Sequence, residues 1–519
     1  MYSAICSGAL QGISAYLVLV EVDIAQGLPA FSMVGSLGCE VRESRERVCV
    51  ALKNAGLELP PKHITVNLAP ADRRKEGTAY DLPIAVGVLE GLAYIPEGAG
   101  ADRLFLGELG LNGEVKRVKG VLPIVREAAA RGIRECIVPA GNASEGAAVS
   151  GVIVRGVGDV GQLLSFLQAA SGEEQEKILP RQDVVSKDFL AESPQSGDQT
   201  VPDFGEVAGQ ETARRAAEIA AAGFHNLLLV GPPGAGKSMI ARRIPGIMPV
   251  LTLPESQEVT SIASVAGLME EGKMLVTRRP FCSPHHTITQ AALVGGSHVP
   301  RPGVVSLAHR GVLFLDELPE FKREALDSLR QPLEEHQVHI ARVGGNVTYP
   351  SDFMLVCAMN PCPCGYYPDR NRCRCTAAQV KQYMGKVSGP ILDRIDLCVE
   401  LQPVELDSLK RKSGAEDSHT IRKRVQKARM RQEIRFSGTG YRFNGDIESG
   451  QIDRYCALGI EEEACMGQLY QTLHLSARAF HRILKVARTI ADLEDAEEIQ
   501  VEHLLEASYY RPTQEYWQA

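Results

Sequence analysis

The sequence predicts an α/β fold built on a parallel sheet, and three apolar runs carry that prediction. The first, Leu227–Val230, leads straight into the glycine-rich stretch Gly231–Ser238. The second, Gly311-Val-Leu-Phe-Leu, ends in the carboxylates Asp316 and Glu317. The third, Phe353-Met-Leu-Val-Cys-Ala-Met, ends in Asn360. Unbroken apolar runs of this length suit strands covered on both faces, as in parallel sheets. Ligands of such sheets gather at the carboxyl ends of the strands, where all three runs turn polar.

The stretch after the first run, Gly231-Pro232-Pro233-Gly234-Ala235-Gly236-Lys237-Ser238, is a full G-x-x-x-x-G-K-S motif. Its glycines let backbone N–H groups curl around phosphates with no Cβ in the way. Lys237 supplies a point charge for the β and γ oxygens, and the Ser238 hydroxyl can ligate Mg²⁺. A helix from about Met239 points its positive end at the anion. ATP and Mg²⁺ are therefore the expected ligands. Downstream, Asp316 can hold Mg²⁺ directly or through water, and Glu317 can polarise the water that attacks the γ-phosphate. An exposed acidic turn would not need the apolar strand ahead of it.

Composition bounds the rest. The chain has 519 residues, enough for several domains, with ordinary hydrophobic and charged content. A net charge of −8 leaves no basic footprint on the whole molecule, so a nucleic-acid surface would have to be a local patch. The first residues have no basic leader region, and no run is long enough to span a bilayer. The expected compartment is the reducing cytoplasm, where the 13 cysteines would not form structural disulfides.

Residues 1–170 mix strand-like runs (Ala15–Val22, His63–Leu68) with helical periodicity (Val41–Asn54, Leu82–Gly91, Leu122–Arg131) and read as an α+β domain. Two pieces, RRKEGTAYDLPIAVGVL and GELGLNGEVKRVKGVLPIVREAAARGIRECIVP, resemble the Lon-protease/ribosomal-S5-like fold. That resemblance puts the protease serine at Ala79 and the lysine at Leu122. With nucleophile and base both replaced, proteolysis is excluded and a degenerate scaffold is expected. Arg73, Arg74 and Lys75 could touch a phosphate backbone or form a solvated turn. Residues 171–201, rich in polar residues and Pro, read as a linker.

Residues 202–404 form the expected ATPase core. The alternating run Gln337–Pro350 around Gly344-Gly345 reads as a hairpin. Cys362, Cys364, Cys373 and Cys375 fall within fourteen residues just after Asn360 and suggest Zn²⁺ held by four thiolates. Free thiols or a redox switch are the alternatives. Helical periodicity dominates residues 405–519. There Ile421–Arg435 carries seven Lys/Arg against one Glu, either a solvated face or a DNA or subunit contact.

The motifs GPPGAGKS, SLAHRGVLFLDELPEF, AMNPCPCG, GPILDRIDL and LSARAFHRILKVARTIADLE together resemble the ComM/YifB family of magnesium-chelatase-like AAA+ ATPases. The resemblance implies an AAA+ P-loop core with a helical lid, preceded by the degenerate Lon/S5-like domain. It puts Val207 and Gln210 near the adenine and makes Asn360 the residue that orients the lytic water. It makes Arg394 a finger reaching a neighbour's γ-phosphate, and Arg478 a γ-phosphate contact from the lid, with Arg482 the runner-up. It reads the excess sequence near Ser264–Arg301 as an insertion, and this insertion and the hairpin as pore elements. Arg278, Arg279, His339 and Arg342, with His285 and His286, are then the candidate pore-lining groups, the first four as DNA contacts. The implied function is a homo-oligomeric ring, a hexamer, that couples ATP hydrolysis to movement on single-stranded or branched DNA as a branch-migration helicase. A chelatase-like motor or a protein remodeller without DNA remains the alternative.

Overall fold

The computed structural model describes residues 1–183, 202–296, 301–342, 345–369, 371–403 and 416–511, with backbone alone for 341, 342 and 345. The N-terminal part is built on a seven-stranded mixed sheet. Its strands are β1 (Tyr2–Gln11), β2 (Ser14–Ala25), β3 (Ala30–Val34), β4 (His63–Ala69) and β5 (Arg103–Phe105), with β8 (Glu135–Pro139) and β9 (Ile153–Val157). The order is β3-β4-β2-β1-β5-β8-β9. Two short strands, β6 (Glu108–Leu109) and β7 (Val115–Lys116), pair beside it. The helix Asp81–Gly91 is buried along its whole length. It lies close enough to the sheet that a Cβ on Gly87 would fall 2.6 Å from Val22 Cγ2. Leu122, the expected position of the protease lysine, is a core residue of the helix Val121–Ala130. Lys75 is fully buried and donates to the Pro70 and Arg73 carbonyls, so it presents no charge to a phosphate backbone.

The expected linker does not begin at residue 171. Ser171 caps a helix, Gly172–Ile178, and Leu179 is buried in the N-terminal core. Arg155, itself 4% exposed, reaches Glu176 at 3.0 Å. The polar composition there reflects a short surface helix fastened by an ion pair. The rest of the linker, 184–201, lies outside the described residues.

The central sheet is parallel throughout. It contains β10 (Leu227–Val230), β11 (Phe281–Cys282), β12 (Val312–Leu315), β15 (Met354–Met359) and β16 (Leu397–Glu400), ordered β11-β12-β15-β10-β16. β10, β12 and β15 are buried at every residue, as their unbroken apolar sequences require. An antiparallel hairpin, β13 (Gln337–Arg342) with β14 (Gly345–Pro350), precedes β15.

Helices follow, including Ser418–Arg435, Ile460–Thr472, Ala477–Leu493 and Val501–Tyr509. Their apolar faces join the helix Glu211–Gly223 in one core that includes Ala216, Ala220, Val425, Ile483 and Ile490. The basic helix is not a free cationic face. Arg424 meets Glu218 and Glu416, Lys427 and Arg431 meet Asp495, Arg435 meets Asp492, and Arg422 donates to Gly246 O. Except for Glu416, these partners come from distant sequence, which is why the run reads as unpaired charge when taken alone.

The N-terminal part docks on the insertion. Gly120 N donates to Ser264 O at 3.2 Å, and Arg117 reaches Met269 O at 2.8 Å. The buried Glu145 carboxylate accepts from Leu122 N at 3.0 Å and from the Ser264 hydroxyl.

Candidate nucleotide site

The central sheet brings the three polar strand ends together. With β15 between β10 and β12, Gly231, Asn360 and Asp316 emerge side by side. Lys237 opens the helix Lys237–Ala241. Its ammonium donates to Gly231 O at 2.7 Å, Pro232 O at 3.0 Å and Asn360 Oδ1 at 3.0 Å. Burial lowers the Lys237 pKa, and the nearby Asp316 charge works against that shift. Ser238 Oγ donates to Asp316 Oδ2 at 2.7 Å. Gln210 Nε2 donates to Ala235 O at 3.1 Å, and Val207 is buried nearby in sequence at 2% exposure.

The loop is shaped as a cradle. Gly234 and Gly236 have φ of +80° and +91°, and a Cβ at either would meet nothing within 4 Å. The space there is open, and it is the left-handed backbone that glycine takes without strain. The donor set fits a triphosphate and its metal. Lys237 carries three N–H groups beside a helix N-terminus, and a hard divalent cation prefers hydroxyl and carboxylate oxygens such as those of Ser238 and Asp316.

Glu317 sits beside this cluster in a left-handed backbone conformation, φ +55°. A non-glycine residue in that region is strained, and such strain concentrates at functional positions. Its side chain is 60% exposed, and Oε2 lies 3.2 Å from His286 Nδ1. His286 was expected at the pore. Here it stacks on His285, with ring centroids 4.1 Å apart, and faces the Glu317 carboxylate instead. A contact between residues 31 positions apart has no local sequence signal.

Arg394 and Arg478 lie elsewhere. Both line a cleft of about 1160 Å³ whose lining, among the described residues, includes none of Gly231–Ser238. Arg394 is ion-paired with Glu334 and donates to Pro390 O at 2.7 Å. Burial first, then the Arg478 and Arg330 charges, lowers its pKa. Arg478 pairs with Asp393 at 3.1 Å, which puts it beside the Arg394 segment and not over the chain's own phosphate loop. Arg482 donates to the Leu392 and Ile395 carbonyls and braces that segment.

Asn226 went unnoticed in the sequence. Its Oδ1 accepts from Leu355 N at 2.8 Å, its Nδ2 donates to Arg394 O at 2.8 Å, and its N–H donates to Asp396 Oδ2 at 3.0 Å. It pins the Arg394 segment to the start of β10, opposite the end that carries the phosphate loop.

The expected DNA contacts divide. Arg279 is 8% exposed and donates to Pro249 O and Arg310 O, both at 2.6 Å, so it is a structural cation. Its burial comes from loops that close over it. Arg278 is half-buried. His339 is exposed on β13, bonded to Thr348 Oγ1 at 2.9 Å. The side chain of Arg342 lies outside the described residues.

The four cysteines converge, with all Sγ atoms within 4.8 Å of one another. No helix among the described residues is long and apolar enough to cross a membrane.

Comparison with known proteins follows the same three segments. The family described as magnesium chelatase, subunit ChlI, matches residues 203–409. Subunit ChlI of Mg-chelatase matches 20–142, and the ChlI C-terminal family matches 415–511. The chain is 41% identical over 505 residues to the protein YifB of Salmonella typhimurium, covering 97% of this chain and 96% of the relative. It is 41% identical over 506 residues to the competence protein ComM of Haemophilus influenzae, covering 97% and 96%. A magnesium-chelatase 67 kDa subunit of Chlorobaculum parvum is 25% identical over 203 residues, 39% of this chain and 27% of the relative.

Proposed function

The chain belongs to the ComM/YifB family of magnesium-chelatase-like AAA+ ATPases, and on that premise we propose that it forms a ring, a hexamer, that couples ATP hydrolysis to movement on DNA. The observation that carries the ATPase reading is the convergence of Lys237 with Asn360 and of Ser238 with Asp316 at one end of a parallel sheet. Lys237 and the loop amides bind and orient the phosphates. Ser238 and Asp316 hold Mg²⁺, which supplies charge neutralisation on the β and γ oxygens when bound. Glu317 accepts the proton of the attacking water, and Asn360 orients that water. His286 holds the Glu317 carboxylate in place.

Arg394 and Arg478 share a cleft remote from the chain's own phosphate loop, which supports their acting on a neighbour's γ-phosphate. Each site is then completed by a second copy, which is the physical reason for a ring. The C-terminal helices are the lid, the N-terminal part is a degenerate Lon/S5-like domain, and the compartment is the cytoplasm. Zinc belongs at the four cysteines.

DNA as substrate, with branch migration as the outcome, rests on likeness to a competence protein. His339 and Arg278 are the contacts left on the described surface. The test is the ATPase rate without DNA and with single-stranded, duplex or four-way-junction DNA, at two salt concentrations. Stimulation by DNA that fades with salt is expected, because phosphate contacts release counterions. A rate indifferent to every DNA would replace this reading with a chelatase-like or protein-remodelling motor, which the ChlI matches along the chain would then favour.

A further inference from the structure

We infer that Cys362, Cys364, Cys373 and Cys375 form a tetrahedral zinc–thiolate centre that buttresses the phosphate loop, so that metal occupancy sets the order of the nucleotide site. The inference extends the ATPase reading from the site itself to what supports it. Three Sγ–Sγ separations are 3.3, 3.5 and 3.8 Å, too long for a disulfide. A Zn–S bond of about 2.3 Å gives a tetrahedral edge of about 3.8 Å, and four thiolates at this spacing suit one soft or borderline ion. Two backbone amides are aimed at Cys362 Sγ, from Gly365 at 3.2 Å and Tyr367 at 3.4 Å. Amide donors of this kind stabilise a thiolate ligand and fix its direction. Cys362 is fully buried and Cys373 is 6% exposed, so their thiolate forms would need a bound cation to compensate the charge.

The centre touches the phosphate loop along two routes. Gly365 has φ +87°, and a Cβ there would fall 2.5 Å from Pro233 Cδ, so the first cysteine turn lies against the loop with no side chain between. Cys362 is also two residues from Asn360, which accepts from Lys237. On its far side the cluster runs into Thr376, which caps the helix Ala377–Met384. One ion would tie this helix, the Asn360 loop and the Pro233 side of the cradle together. The ion would add four bonds to the core packing of Cys362 and Cys373 and the turn hydrogen bonds that hold the described residues of this segment.

The test uses the full-length chain. Metal analysis after purification without chelator is expected to give about one zinc per chain, falling below about 0.1 in Cys364→Ser/Cys375→Ser. Cobalt substitution should give the visible bands of a tetrahedral thiolate site. Hydrogen exchange then reads the coupling with no nucleotide present. The amides of Gly231 and of 234–238 should exchange about tenfold faster after zinc removal and recover when zinc returns, while β1 and β2 stay unchanged. Gly365→Ala should keep its zinc yet show the same faster exchange, which separates the contact from the metal. Mant-ATP affinity should fall in parallel, with Lys237→Ala as the non-binding control. Iron or no metal in the native protein overturns the zinc assignment. Zinc present with loop exchange unmoved by its removal overturns the buttress. Neither readout depends on ATP turnover, so both results hold even for a chain that hydrolyses no ATP.

Discussion

Replacing Asn226 with Ala tests how the Arg394 segment is held. The substitution strands two groups. Leu355 N–H is fully buried and loses its acceptor at 2.8 Å. A stranded buried donor costs about 1–3 kcal/mol. Arg394 O loses its donor at 2.8 Å, but it lies in a half-buried segment beside the open cleft. Water can replace that partner, so its loss costs about 1 kcal/mol. The sum is about 2–4 kcal/mol, felt locally at the β15 and β16 ends of the sheet. A chain of several domains has no single unfolding free energy, so the proper assay is residue-resolved hydrogen exchange. At tenfold per 1.4 kcal/mol, the Leu355 amide should exchange about 30- to 700-fold faster. Amides in β1 and β2, in a separate core, should not move. A change of less than about threefold at Leu355 would refute the reasoning, since water or a shifted neighbour would then be replacing Asn226 without cost.

Glu317→Gln should retain ATP while turnover falls about 10²- to 10⁴-fold, measured as single-turnover hydrolysis beside mant-ATP binding. Lys237→Ala should abolish mant-ATP binding itself. His286→Ala should lower turnover several-fold at unchanged KM, because it frees a carboxylate that is 60% exposed; an equal rise in KM would point to the nucleotide pocket instead. Mixing Arg394→Ala with Lys237→Ala chains should restore part of the ATPase activity that neither has alone, and no recovery would count against sites shared between copies. Burial, followed by the Asp352 charge, raises the Asp446 carboxyl to about 6. The folded protein then binds this proton more tightly than the unfolded chain, so the ionised form costs stability above about pH 6. That cost fades as pH falls through about 6 towards the unfolded value near 4. Asp446→Asn, which keeps an acceptor for Arg442 N and Phe443 N, should therefore raise the melting temperature at pH 8, raise it about half as much at pH 5 and leave it unchanged only below about pH 4, with about 1–2 kcal/mol at stake after allowance for solvent.

Three strands of the central sheet, β10, β12 and β15, were legible because they are buried on both faces and carry no polar interruption, whereas the half-buried β11 and the polar-ended β16 were not. Leu227–Val230 reads as a strand to the residue, and Lys237 and Ser238 follow from a motif whose spacing is set by phosphate geometry. What escaped were contacts between residues far apart in sequence. Arg279 reads as a loop cation, yet its guanidinium is enclosed by carbonyls from Pro249 and Arg310. The seven cations of 421–435 read as an open face partly because Glu218 and Asp495, which pair with Arg424, Lys427 and Arg431, lie far away in sequence. Asn226 looks like any polar residue before a strand. Its role exists only once β15 and the Arg394 segment lie on either side of it.

The joint at Glu145 has a consequence for how such a chain changes over evolutionary time. The resemblance to proteases assigns their lysine to Leu122. In this structure the backbone of Leu122 positions the carboxylate that also receives the Ser264 hydroxyl from the ATPase core. The helix that carries Leu122 is thus part of the joint between the two modules. A lysine restored at 122 would bring a cation into a packed core beside that joint, and the first thing lost would be the attachment of one module to the other.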